Sequence, residues 1–333
     1  MSILIRSIVS SIIASILIFL ILVTMAPDSV AFSPNNYGWN GMQQIDSSYS
    51  IQYVDSINQL DLKTSSLLLI IQPSMNFSST YAATVTQYVE GGGTLVVADS
   101  YGVSNSLLQQ MGINIGIQGS AAIHDSLYNW RSESYPAAEI ANSSANAYRV
   151  AKFVKGVGEL ALTAPSPLVV SGSAVNVLAL TSPRSFEVAR EGKFAISNGP
   201  FPVASDVSLG NGTVIVIGDS QIFTNSAWTT LGNSAFARNL FSNTTVYLDT
   251  SHWAANSIAS IKAYTSSLFS QLSEYPTNYF VTIVFCAVAL VVFEIPLLRG
   301  TKGKRQIVTA KDTTYSKDSL EQVRRERAKY GVY

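Results

Sequence analysis

The chain has 333 residues, 47% of them hydrophobic and only 13% charged, where an average soluble domain carries roughly 25% charge. Its Lys/Arg and Asp/Glu totals cancel, but residues 26–277 hold ten of the former against sixteen of the latter, and residues 299–333 hold ten against four. The acidic middle excludes a nucleic-acid footprint there; the single cysteine, Cys286, excludes an intrachain disulfide and a Cys-based zinc site; His124 and His252 lack metal-ligand spacing.

From the N-terminus, residues 7–25 form an uncharged apolar run behind Arg6. The run is close to the ~20 residues that cross a bilayer as a helix. It predicts an uncleaved transmembrane anchor over 1–26, the competing reading being a signal peptide cut after Ser29-Val30-Ala31. A second apolar run over 278–298 has aromatic residues at its outer edge (Tyr275, Tyr279, Phe280) and Arg299, Lys302, Lys304 and Arg305 beyond it. Positive flanks favour the cytoplasm, so the expectation is a two-pass protein of the cell membrane with both termini inside. The lipid bilayer is then its first partner, residues 27–253 form an extracytoplasmic domain, residues 254–277 a juxtamembrane helix and residues 299–333 a basic cytoplasmic tail. Four Asn-x-Ser/Thr sequons, at Asn76, Asn142, Asn211 and Asn243, suit a glycosylated exterior.

Within the domain, residues 66–72 are a continuous apolar run that predicts a buried strand. A helix is expected over 79–89, a strand over 94–98 and a helix over 104–111. This strand–helix–strand order implies parallel pairing with a right-handed crossover. From about 113 to 197 Pro, Ser and Ala cluster, with short strand-like pieces at 168–170, 175–180 and 193–196. An inserted antiparallel section covering one sheet edge is expected there. A strand over 213–218, a helix over 235–241 and a strand over 245–248 complete the domain. Residues 254–275 and 318–329 carry helical patterns, the last highly charged.

Two segments resemble each other. Residues 91–106 read GGGTLVVADSYGVSNS and residues 210–226 read GNGTVIVIGDSQIFTNS. In each, Gly-x-Gly-Thr opens a buried strand that ends in Asp-Ser, with Asn-Ser following. Asp99, Ser100, Asp219 and Ser220 therefore stand at the carboxyl ends of strands, where open α/β sheets bind ligands, and Asn105 and Asn225 at expected helix N-caps. These six residues are either turn and cap groups or the lining of a polar cleft for a small ligand, a glycan or a carboxylate-bound cation. No nucleophile elbow, P-loop, dinucleotide fingerprint or His-Glu-x-x-His motif occurs. The only hydrolase set that can be assembled joins Ser100 or Ser220 to His252 and Asp249. No catalytic residue, cofactor or metal is expected.

The order of the SPNNYG stretch (residues 33–38), LLLIIQP, YVEGGGTLVVADSYGVSN, GTVIVIGDSQIFTN and YLDTSHW between two apolar runs resembles the family of domain-of-unknown-function number 4350. The resemblance implies an α/β fold with a flavodoxin-like, class I glutamine amidotransferase-like parallel sheet carrying an inserted β-rich section and flanked by two transmembrane helices. True amidotransferases use a Cys at a strand end, where Asp-Ser stands here. Members of that family resemble accessory partners of MoxR-type AAA+ ATPases and of membrane assemblies. The function expected from all this is a non-catalytic, membrane-anchored extracytoplasmic module, a subunit or scaffold of an envelope complex that meets a membrane or cytosolic protein through the tail. The alternative is a small-ligand or glycan-binding sensor or transporter accessory protein using the strand-end cleft.

Overall fold

The structure is a computed structural model that describes residues 11–12, 15, 30–59, 66–141, 152–192, 195–254 and 317–329. In chain order the first elements are α1 (Gln43–Tyr49), β1 (Gln52–Val54), β2 (Ser66–Ile71), α2 (Ser79–Glu90), β3 (Thr94–Ala98) and α3 (Asn105–Gln110). A β-rich stretch follows: β4 (Ile115–Ile117), β5 (Ala121–His124), β6 (Ala137–Ile140), β7 (Glu159–Ala161), β8 (Leu168–Val170), β9 (Val175–Thr181), β10 (Phe186–Ala189), β11 (Ala195–Asn198) and β12 (Pro202–Leu209). Then come β13 (Gly212–Ile217), α4 (Asn233–Phe241) and β14 (Thr245–Asp249). The helix α5 (Lys317–Lys329) belongs to a separate unit of the chain, and its described side chains are exposed.

One nine-stranded sheet, in the order β1-β14-β2-β3-β13-β12-β9-β6-β7, organises the domain. Its first five strands run parallel. From β12 onward every pairing is antiparallel. All six residues of β2 are buried, as the continuous apolar run requires of a strand covered on both faces. Leu67, Leu69 and Ile71 face one side with α1 and α4, through Met42, Ile45, Phe236, Leu240 and Phe241. Leu68 and Ile70 face the other with α2 and α3, through Tyr81, Val85, Tyr88, Leu107 and Leu108. The result is a helix–sheet–helix sandwich.

The Gly-x-Gly-Thr repeat has a packing cause. A Cβ on Gly93 would lie 2.3 Å from the Tyr88 ring, and one on Gly212 would lie 2.1 Å from the Val89 carbonyl oxygen. Both strands start pressed against the end of α2, and only glycine leaves room for that approach.

Two parts of the expected architecture are corrected. The sheet is mixed and nine-stranded, not a flavodoxin-like parallel sheet. The inserted section extends it through β9, β6 and β7, and adds two small sheets, β11-β10-β5 and β4-β8. The flanking transmembrane helices are not supported either: no helix among the described residues is long and apolar enough to cross a membrane. Apart from residues 11, 12 and 15, the expected spans over 1–26 and 278–298 lie outside the described residues, as do the helix expected over 254–275 beyond its first residue and the sequon at Asn142.

Candidate ligand crevice at the strand ends

The chain leaves β2 and β3 on the face that carries α2 and α3, whereas it leaves β13 toward α4 on the opposite face. Because β3 and β13 are neighbours, their carboxyl ends diverge and open the crevice where doubly wound sheets hold ligands. The two Asp-Ser pairs meet at this place. Ser100 Oγ lies 3.0 Å from Ser220 Oγ, and the Ser220 N–H donates to Ser100 Oγ at 2.9 Å.

The six sequence-singled residues differ in what they do. Asp99 is fully buried. Its Oδ1 accepts from the N–H groups of Tyr101 (2.7 Å) and Gly102 (3.1 Å), and Oδ2 from that of Ser104 (2.8 Å). Gln72 spans from the end of β2 to this turn, donating to Asp99 Oδ1 and accepting from the Ser100 N–H. It does so with a positive φ of 42°, a conformation uncommon without glycine. Asn105 pairs with both backbone groups of Ile117 and so fixes β4 against α3. Asn225 donates to the Asn36 and Gly38 carbonyls and accepts from the Gln44 N–H, pinning the segment before α1.

Asp219 is also fully buried. Its carboxylate accepts from the Thr163 N–H (2.7 Å) and the Gln221 N–H (2.8 Å). Desolvation pushes its pKa up to about 7, opposed by those two hydrogen bonds and by Arg190. Beside it, Thr163 Oγ1 and Gln221 Oε1 are buried without a hydrogen-bond partner.

The crevice is filled by the chain itself. Arg190, just past the end of β10, donates to the carbonyls of Gly119 (3.1 Å), Ser100 (2.9 Å) and Ala164 (2.9 Å) and to Ser166 Oγ (3.1 Å). Its guanidinium lies 4.6 Å from the centre of the Tyr101 ring. Partial burial draws its pKa below the ordinary value, while the charges of Tyr101, Asp219 and Asp99 draw it back. Ser166 Oγ is 2.7 Å from the Ser100 carbonyl and 2.8 Å from that of Ala121. Sequence reasoning did not single out Arg190, Ser166, Thr163 or Gln72. The available signal was faint: Arg190 stands among Arg184, Glu187, Glu191 and Lys193, and nothing in the pattern sets it apart from them.

At the end of β14, His252 Nδ1 lies 2.7 Å from Asp249 Oδ2 and 2.9 Å from Ser251 Oγ. The ring stacks on Phe77 with centroids 4.0 Å apart. Asp249 and Ser251 share one ring nitrogen, so they do not form a relay, which needs the acid on one nitrogen and the nucleophile on the other. No hydrogen bond joins His252 to Ser100 or Ser220. Burial and the adjacent Asp249 push the Tyr81 pKa up. At the opposite end of the parallel strands a cavity of about 330 Å³ is lined by residues including Ser66, Thr94, Lys152 and Asn239. Asn76, Asn211 and Asn243 are exposed. Among the described residues no cluster of His, Cys, Asp or Glu could hold a metal ion.

The family pattern described as "Domain of unknown function (DUF4350)" matches residues 31–241. No curated protein sequence matches the chain. Among solved structures it is similar to the mmIFT52 N-terminal domain, with 15% identity, 53% of this chain and 75% of that one covered, and a TM-score of 0.40. It is similar also to the β-galactosidase of Bacillus circulans sp. alkalophilus, with 13% identity, a TM-score of 0.31, and coverage of 53% of this chain and 22% of that one. A cytoplasmic protein of Salmonella typhimurium matches with 10% identity, 58% and 76% coverage and a TM-score of 0.32. At these scores the likenesses carry no argument about activity.

Proposed function

From the premise that the chain belongs to the DUF4350 family, which is defined by sequence and not by a reaction, we propose a function from the site itself: a non-catalytic α/β module that serves as a binding subunit or scaffold of an envelope complex. One observation carries this reading. The crevice where a sheet of this kind would place substrate is occupied by Arg190 and Ser166 of the same chain, and the adjacent serines bond to each other and not to a base. A glutamine amidotransferase-like ancestry fits the alternation of β2, α2, β3, β13, α4 and β14. The strand ends nevertheless carry Asp-Ser where that chemistry needs a cysteine thiolate. An extracytoplasmic placement draws support from the exposed sequons at Asn76, Asn211 and Asn243. The charged helix α5 within the basic tail is the surface offered to a membrane or cytosolic partner, an AAA+ ATPase of the MoxR type being the first to seek.

A fluorophosphonate probe tests the non-catalytic reading: neither Ser100 nor Ser220 should label in the full-length protein, and labelling of either overturns it. Co-purification with and without residues 299–333 tests the partner, which should be captured only with the tail in place.

A further inference from the structure

Residues 30–42, ahead of α1, contain neither helix nor strand, yet they are held firmly. Asn36 is 2% exposed. Its side chain donates to the Val30 carbonyl and to Asn40 Oδ1 and accepts from the Gly38 N–H. Backbone bonds from Phe32 to Asn40, Met42 to Ser33 and Gly41 to Gly38 close the loop on itself. From the other side, Asn225 Nδ2 grips the Asn36 and Gly38 carbonyls, the Asn225 N–H donates to Gly41 and the Ser226 N–H to the Trp39 carbonyl. Gly41 is pressed so close that a Cβ would meet the Asn36 carbonyl oxygen at 1.9 Å.

This rigid frame presents the two most exposed aromatic side chains among the described residues, Tyr37 at 74% and Trp39 at 66%. The anchored carbonyls of residues 36, 38 and 39 bracket both. With the backbone beneath them already ordered, these rings have only two χ angles each to settle on binding, which favours affinity. The surroundings narrow the ligand. Residues 30–45 contain no Asp, Glu, Lys or Arg, so the segment itself offers an ion no charged partner; the next charge along the chain, Asp46, accepts from the Tyr53 hydroxyl. The polar side chains nearest in the sequence are the amides of Asn35, Asn40 and Gln44, groups that carry both donors and an acceptor, the Asn40 oxygen already accepting from Asn36 Nδ2.

We propose that Tyr37 and Trp39 form a binding face for neutral carbohydrate, whose C–H faces lie on the rings while its hydroxyls meet the amides. This rests on the reading of the domain as a binding module and names its ligand class.

Native affinity electrophoresis of the full-length protein in gels containing mannan, galactan or mixed-linkage β-glucan tests it. At least one polysaccharide should retard the wild type. Tyr37→Ala and Trp39→Ala should each weaken retention about tenfold, as for anchor residues of a binding site, and the pair should abolish it. All three variants should keep the wild-type melting temperature, since both rings are exposed. Asn225→Ala should weaken retention with both rings intact. No retardation by any of the three polysaccharides, or retention unchanged in the double variant, overturns the proposal. So does loss, in the double variant, of binding to neutral phosphatidylcholine vesicles without a polysaccharide effect. The fluorophosphonate result bears on the module reading and leaves the polysaccharide result independent.

Discussion

Asp99 and Asp219 occupy the same place in a repeated motif, yet their surroundings give them different roles. The carboxylate of Asp99 collects three backbone N–H groups of its own turn. Removing it leaves the buried Ser104 N–H and the partly buried N–H groups of Tyr101 and Gly102 unpaired, a buried orphan costing about 1–3 kcal/mol before relaxation. Asp99→Ala is therefore expected to destabilise the domain by about 2–4 kcal/mol in urea denaturation; a loss below ~1 kcal/mol would show the turn to be self-supporting. Asp219 is buried with its pKa raised to about 7, above the ~3.9 of an unfolded aspartate. Below about pH 4 both states hold the proton and the group has no effect. As pH rises toward 7 the unfolded chain ionises first, so folding stability is lost across that window, by at most about 4 kcal/mol for three units. Wild type should thus gain stability relative to Asp219→Asn as pH falls from 7 to 4. Parallel curves for the two proteins would refute it.

At the level of elements, the end of the sheet shows how one buried amide sets register. Asn233 opens α4; its side chain accepts from the Ala161 N–H and donates to the Ala161 and Ala227 carbonyls. It thereby ties the edge strand β7 to the helix. Asn233→Ala should cost about 2–4 kcal/mol and raise amide exchange in β7 before β2 or β3. Uniform exchange across the sheet would contradict that order. The strands and helices with a strong apolar period, namely β2, α2, β3, β13, α4 and β14, were legible in the sequence to within a residue or two. β12 was not, because Ser205 and Asp206 are buried between β9 and β13, where an apolar run would be expected and small polar residues stand instead. α1, β5 and β10 are too short to show a period. The strand-end residues were found, but their role was not fixed by spacing alone, since an aspartate that caps a turn and one that holds a ligand read alike. Arg190 escaped notice because it binds three backbone carbonyls, which leave no mark in a side-chain pattern. The expected membrane helices followed from apolar runs with their aromatic and basic flanks, and no described helix matches them.

For the molecule as a whole, the decisive feature is that neighbours in space are distant in sequence. Thr94 lies opposite Thr213 and Gln52 opposite Tyr247. The centre of the sheet therefore closes only when both ends of a very long loop meet, and contacts of that kind slow folding. A chain ended at residue 200 retains β2 and β3 but lacks β12, β13 and β14. It is expected to show no cooperative urea transition by circular dichroism, whereas a sharp transition would mean that the first part folds alone. On the ribosome the same arrangement sets an order of events. The buried strands β2 and β3 emerge early, with one apolar face covered by α2 and the other covered only in part, by α1, until α4 is made. At the ~5–20 residues per second of synthesis, the rest of that face waits roughly 7–30 s for its cover, which makes the nascent chain a client for whatever cellular factor shields exposed strands during translation.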